Sequence, residues 1–279
     1  MKNLPVCKEI DLELENGWLT VWFNQPEIRN PLSKNRVQGV IDLCAALETR
    51  RDIRGVTFRG RGGIFCAGGD LKAFKATFEA APEERRNIVI ELSLLGGKMF
   101  NVVNELPQLT IMAVEGAAMA GGFGLVCTGD VVITDAKTRF SLTETMIGLN
   151  PAQITPFVYQ RLGASNGRRL LMTAATFMGD EAKRLGLADE VCDGSAEMNS
   201  AIKAVQKQLF RCAPGAVAAT KKLVIAMPNL TKEEQTKEAA ESFVVCLLGE
   251  EGVEGVSSFL ERRKPKWAVS ATEMADKKA

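Results

Sequence analysis

A short apolar run that ends in a glycine-rich bend and restarts as a helix leaves a chain few ways to fold, and here it happens twice. Thr110 to Val114 reads as a buried strand. It runs into Glu115-Gly-Ala-Ala-Met-Ala-Gly-Gly-Phe-Gly124, after which Leu125-Val-Cys-Thr128 continues as a helix. Gly55 to Phe58 is a second buried strand. It leads into the glycine-rich Gly60 to Gly69, which overlaps the bend Phe65-Cys-Ala-Gly-Gly-Asp-Leu-Lys72. Ligands gather at the carboxyl ends of such strands. A helix start leaves N–H groups without intrahelical acceptors and adds partial positive charge. The pair of bends therefore reads as two backbone N–H groups, one from each, holding one polarised carbonyl oxygen. Taken singly, either bend is equally a plain structural turn. Neither completes G-x-G-x-x-G, and no Gly-Lys-Ser/Thr occurs, so a nucleotide-phosphate loop is not indicated.

The rest of the chain frames these bends. Cys7 to Leu14 alternates apolar and charged residues as a strand does. Glu15-Asn-Gly17 is a hairpin turn signal, and Trp18 to Phe23 is the return strand. Asn24 to Pro31 is a loop, and Ser33 is a good N-cap for a helix to about Thr49. Pro82 to about Glu105 is a long helix with Ile88, Leu92, Leu95 and Met99 on one face. Short strands are expected at Val131 to Ile133, Arg139 to Ser141 and Glu190 to Cys192. Short helices are expected at Pro151 to Leu162, Asn166 to Thr173 and Asp180 to Leu185. After Gly194 only helices follow, over Ser195 to Phe210, Pro214 to Ala226, Lys232 to Leu248 and Gly252 to Arg263, with a charged, frayed tail from Ser270 to Ala279. This order predicts an α/β core over residues 1–194 and a helical region over 195–279.

Composition narrows the chemistry. Lys plus Arg is 35 against 34 Asp plus Glu, which argues against binding nucleic acid through a broad basic field. There is no His, which excludes Ser-His-Asp and Cys-His pairs and His-ligated metals and leaves Glu, Asp, Lys, Tyr or Cys for acid–base work. The seven Cys are scattered and never in C-x-x-C spacing. They read as reduced thiols in a cytoplasmic compartment, and Cys66 beside the first bend reads as a packing residue. No signal peptide and no membrane span is expected.

Several stretches carry a family resemblance. Phe65 to Lys72, Val114 to Leu125 and Arg139-Phe-Ser-Leu-Thr-Glu-Thr-Met-Ile-Gly-Leu-Asn-Pro151 resemble the three signatures of the crotonase (enoyl-CoA hydratase/isomerase) superfamily. Pro26 to Leu32 resembles its Pro-x-x-x-Asn-x-Leu element, and Glu254 to Pro265 its C-terminal helix. The resemblance runs in register from about Val21 to Lys266. It implies an α/β fold with a spiral core of ββα turns and a helical trimerisation region, giving a homotrimer or a dimer of trimers. It implies an acyl-CoA thioester as substrate, with no cofactor beyond the coenzyme A carried by that substrate. The family's oxyanion hole falls on the N–H groups of Gly69 and Gly121, in agreement with the direct reading of the bends.

Other residues carry a bland and a functional reading side by side. Asp70 is a turn or cap carboxylate, and Leu71 and Lys72 follow it. The resemblance places this stretch beside bound substrate, with Lys72 near the CoA phosphates or adenine. Arg262, Arg263 and Lys264 are a solvated helix end or a phosphate contact.

The acid–base group decides the reaction. The family's hydratases use two Glu. The first position is Gly124 here, so that carboxylate is missing; the second is Glu144. The Asp used by some isomerases falls on Ala152. Ser141-Leu-Thr-Glu144 is also a capping-box pattern, in which Glu144 merely closes a helix. With one carboxylate, the expectation is hydration of an α,β-unsaturated enoyl-CoA by Glu144, with Thr143, Asn150 or Gln153 holding the water. Gly124 is expected to leave space beside the acyl chain for a branched or carboxylated group. The alternatives are an enoyl-CoA isomerase using the same Glu144 and a non-catalytic acyl-CoA-binding protein.

Overall fold

The structure, a computed structural model, describes residues 4–268; the expected tail from Ser270 lies outside them. The hairpin forms as predicted. β1 (Ile10–Glu15) and β2 (Trp18–Phe23) pair antiparallel, with Glu15 opposite Trp18. Asn16 and Gly17 both take positive φ, the geometry a tight two-residue hairpin requires. The first strand begins later than expected, because Cys7 turns back to bridge Ile10.

Beyond the hairpin the chain winds in strand–strand–helix turns. β3 (Gly55–Gly60), β4 (Leu109–Val114), β6 (Val131–Asp135) and β8 (Glu190–Cys192) join β2 in parallel, giving a six-stranded sheet in the order β1-β2-β3-β4-β6-β8. Each turn also contributes to a smaller sheet. β5 (Ala117–Met119) pairs with β7 (Arg139–Ser141), and bridges Leu32–Gly69, Cys66–Ala118 and Phe140–Phe177 extend it on both sides. Helices α1 (Lys34–Leu47), α2 (Leu71–Thr77), α3 (Pro82–Asn104), α4 (Gly121–Cys127), α5 (Thr155–Thr173) and α6 (Gly179–Arg184) close the turns. This is the α/β spiral that the three signatures imply. The two short helices expected between Pro151 and Thr173 are one helix, α5, broken at Gly163 (φ 71°, ψ 174°).

The main sheet is buried on both faces, and alternate residues divide between two cores. Val56, Phe58, Met112, Val114 and Val132 face α1 and α3. Ile111, Ala113 and Ile133 face the other way, onto Met198, Ala201, Ile202 and Leu209 of α7 (Ser195–Leu209). Thus α7 packs as part of the core, on the far side of the boundary expected at residue 194. The following helices α8 (Pro214–Ala226), α9 (Lys232–Leu248) and α10 (Glu250–Leu260) bury almost nothing, with Ser258 their one buried residue. Two links tie α8 down. Lys221 Nζ donates to Asp130 at 2.7 Å, and the N-terminal amides of Gly215 and Ala216 donate to Glu251. Phe243, Val245, Leu248, Phe259 and Leu260 remain exposed on α9 and α10.

Candidate active site

The small sheet brings the two glycine bends together. Cys66 N–H donates to Ala117 C=O at 3.0 Å, and Met119 N–H returns the bond to Cys66 C=O at 3.0 Å. Just beyond, at Gly68 and Ala120, the two segments are so close that a Cβ on Gly68 would sit 3.0 Å from Ala120 Cβ. Ala120 itself carries a strained backbone (φ 49°, ψ −122°) as it turns β5 into α4. Such outliers persist only where surrounding structure over-determines them. Here Ala120 N–H is tied to Ser141 C=O at 2.8 Å, and its C=O accepts from Gly124 N–H at 3.1 Å.

That turn exposes donors. Among the described residues, neither Gly69 N–H nor Gly121 N–H has a protein acceptor. Both glycines reach solvent, while their neighbours Gly68 and Gly122 are buried. Leu32 touches both. It bridges to Gly69, and its Cδ1 would lie 3.0 Å from a Cβ at Gly121. Gly122 has a different reason to be glycine: its missing Cβ would fall 2.6 Å from Cys66 C=O. Cys66 is fully buried, and burial pushes its thiol up to about 11, so it is inert packing.

Glu144 approaches from β7. Ser141 C=O holds Ala120 N–H, and Glu144 lies three residues on, in the 3-10 turn Thr143–Ile147. The capping-box reading fails here. Ser141 is buried in β7 and donates its Oγ–H to Ala174 C=O at 2.8 Å, and the turn has no side-chain cap. Glu144 Oε2 is instead buried without a hydrogen-bond partner. Burial holds its carboxyl above the usual Glu value of 4.5. A partnerless buried carboxyl with a raised pKa is the profile of a proton-transfer group. Exposed Met146, Ile147 and Leu149 follow it, and exposed Leu71 and Phe74 follow Gly69.

Gly124 departs from expectation. It is buried, and the space predicted beside it is filled: a Cβ there would lie 2.1 Å from Ile154 Cγ2 and 2.5 Å from its Cβ. Ile154 is 3% exposed. An aliphatic side chain thus stands where a second carboxylate would project. The free space expected there for a branched or carboxylated acyl group is therefore absent. Gln153 packs against Gly97 of α3 and donates to Ser93 Oγ at 3.0 Å, and Asn150 is exposed. Asp70 is the N-cap of α2, accepting from Lys72 N–H at 3.0 Å and Ala73 N–H at 3.3 Å; Lys72 is exposed. Arg263 is engaged by Glu254 and Glu261, whereas Arg29 and Arg139 line an open cleft of about 310 Å³ with Ile64, Ala67, Ala117 and Met119. These two arginines escape a reading of the linear chain, because only the small sheet makes them neighbours. Among the described residues no cluster of His, Cys, Asp or Glu could hold a metal, and no helix is long and apolar enough to cross a membrane.

The small sheet thus brings together two bends that each carry an amide without a protein acceptor, and Glu144, with Oε2 buried and unpartnered, lies three residues beyond the Ser141 that holds Ala120. Comparison with known proteins identifies the class. The family model for enoyl-CoA hydratase/isomerase matches residues 13–270, and the chain belongs to that family. It is 32% identical over 257 residues to a putative enoyl-CoA hydratase of Thermus thermophilus, covering 92% of this chain and all of the relative. Among solved structures, it is similar to Pseudomonas aeruginosa AtuE, with 38% identity, TM-score 0.89, and 94% and 100% of the two chains covered. An enoyl-CoA hydratase/isomerase from Marinobacter aquaeolei matches at 34% identity and TM-score 0.90, with the same coverage.

Proposed function

We propose that this protein hydrates an α,β-unsaturated acyl-CoA thioester with Glu144 as its single proton-transfer group. The observation that carries the reading is the buried, unpartnered Glu144 Oε2 three residues from the strand that holds Ala120. In the reaction the thioester oxygen accepts from Gly69 and Gly121 N–H. Ionised Glu144 takes a proton from water as the water oxygen bonds to Cβ. The alkene π electrons move onto Cα and the carbonyl oxygen, forming an enolate. Glu144 then returns its proton to Cα, so the elements of water add across the double bond and the carboxylate is regenerated. Losing one oxyanion donor in such sites costs about a hundredfold or more in rate. Arg29 and Arg139 would supply positive charge for the CoA phosphates. Exposed Leu71, Phe74, Met146 and Ile147 offer apolar surface for the acyl chain. Subunits would associate through α9 and α10 into a trimer or a dimer of trimers in the cytoplasm.

A second reading is favoured by Ile154. Its aliphatic side chain, filling the space at Gly124, offers no hydrogen bond to a water, which suits isomerisation: Glu144 would remove a proton at Cα of a 3-enoyl-CoA and return it at Cγ. Incubation with 2-enoyl- and 3-enoyl-CoA in heavy-oxygen water separates the two. Oxygen incorporated into a hydroxyacyl product supports hydration. Double-bond migration without it overturns hydration in favour of isomerisation.

A further inference from the structure

A fully buried arginine lies behind the first bend, and the proton-transfer scheme makes no use of it. Arg36 is 0% exposed, on the first turn of α1, and no carboxylate lies within ion-pair distance of it among the described residues. Its guanidinium stacks over Phe23, 5.2 Å from the ring centroid. Its Nη atoms donate to Pro31 C=O, to Gln25 Oε1 at 3.0 Å and to Glu9 C=O at 3.4 Å, while Nε is buried and unpartnered. Glu9 and Glu27 act on it only at longer range, and burying a guanidinium that forms no ion pair is costly, so this position demands a reason.

All three acceptors are geometric. Gln25 and Pro31 bracket the loop that runs under the bends, and Glu9 anchors it to the N-terminal segment. Within the loop, Arg29 C=O accepts from Ala67 N–H at 3.0 Å, and Asn30 Nδ2 donates to Ile64 C=O at 2.7 Å. Leu32 N–H donates to Gly68 C=O at 2.8 Å, and the Leu32 side chain abuts Gly121. Leu32, next to Pro31, is thus the residue that meets both candidate oxyanion glycines. The Arg36 charge also sits close enough to Cys66, three residues before Gly69, to draw its thiol down against the larger effect of burial.

We infer that Arg36 is a positioning residue for the oxyanion hole: by clamping the Gln25–Ser33 loop it sets Leu32, and through Leu32 the separation and aim of the Gly69 and Gly121 N–H groups. The inference rests on the oxyanion reading proposed above. An oxyanion hole acts only when both donors point at the place where charge develops, so a small shift of this loop weakens catalysis without emptying the site.

The test is the full-length protein with a dimethylaminocinnamoyl-CoA probe, whose absorption moves to the red as its carbonyl is polarised, alongside steady-state kinetics with an enoyl-CoA. Arg36→Lys keeps the charge, but one ammonium cannot serve the three acceptors in the planar fork. The expected result is a folded variant with a smaller red shift, kcat lower by roughly tenfold or more, and KM within about threefold. A tenfold loss is a part of what deleting a donor outright would cost. Gln25→Ala removes one acceptor from the same guanidinium and is expected to move both readouts in the same direction by less. A folded Arg36→Lys with the wild-type red shift and kcat overturns the inference. So does a folded Gln25→Ala with both unchanged, should Arg36→Lys not fold. If the wild-type protein binds the probe without any red shift, the oxyanion reading itself falls, a result distinct from a shifted wild type with unaffected variants.

Discussion

The contact between Gly124 and Ile154 lends itself to a quantitative test, because the structure specifies each atom involved. In Gly124→Ala the new Cβ would stand 2.1 Å from Ile154 Cγ2, 2.5 Å from Ile154 Cβ and 3.3 Å from Ile154 Cδ1. Both residues are buried, and α4 is held at Ala120 and Ser141, so the site has little room to relax. Overpacking of this kind costs about 1–3 kcal/mol. In a chain of this size that lowers Tm by about 2–6 °C at fixed protein concentration. Ile154→Ala alone removes buried methyl groups and costs about 2–5 kcal/mol. The double variant removes the 2.1 Å clash and fills part of the cavity but keeps the 2.5 Å approach to the Cβ of residue 154, so rescue is partial and its loss is smaller than the sum of the two by about 0.5–3 kcal/mol of coupling. Ile154→Val keeps Cγ2 and Cβ in place and does not rescue Gly124→Ala. The parent and these variants are compared by thermal and urea unfolding. If Gly124→Ala is within about 0.5 kcal/mol of the parent, a change typical of an open surface site, the position is unfilled. Strict additivity of the two changes refutes the contact as well.

Other outcomes follow from the same site. Glu144→Gln is expected to lower kcat by about 10²–10⁴-fold while leaving Tm at neutral pH no lower than the parent; a retained rate with a lower Tm would make Glu144 structural. Burial raises the Glu144 carboxyl above 4.5, so the native state holds that proton over a pH range where the unfolded chain has lost it. The stability contributed by this group is complete below the unfolded value and is lost as pH rises through the folded one. The Tm difference between parent and Glu144→Gln should therefore grow from acid to neutral pH, and the acid limb of kcat/KM should lie above the ordinary Glu range. A limb at 4.5 or below contradicts the raised carboxyl. Lys221→Met breaks the link from α8 to Asp130 and should cost about 1–3 kcal/mol, since Asp130 keeps its Thr110 partners. Light scattering should give a trimer or hexamer that Leu248→Asp with Phe259→Asp reduces to a monomer.

Much of this architecture is legible in the linear chain. Period-two and helical patterns place nearly every element, since Asn16-Gly17, Ser33 and Pro82 are local signals whose meaning needs no distant partner. The capping box failed for a tertiary reason. Ser141 has the right residue type and spacing, yet β7 turns its hydroxyl inward to Ala174 and frees Glu144. In the linear chain the break at Gly163 inside α5 looks the same as a gap between two helices, because a glycine in a helical pattern carries both meanings.

By itself the sequence determined the order of strands and helices, the two glycine bends and the surviving carboxylate at Glu144, because these depend on local propensity and motif spacing. Only the tertiary structure decided what lies beside them. Ile154 is thirty residues from Gly124, and Arg36 is thirty-three from Gly69. Whether a glycine leaves a cavity or receives a neighbour, and whether a buried charge supports a bend, depends on which distant side chain the sheets deliver to that point. Close packing fills such spaces with whatever the fold brings there, and no local pattern records it.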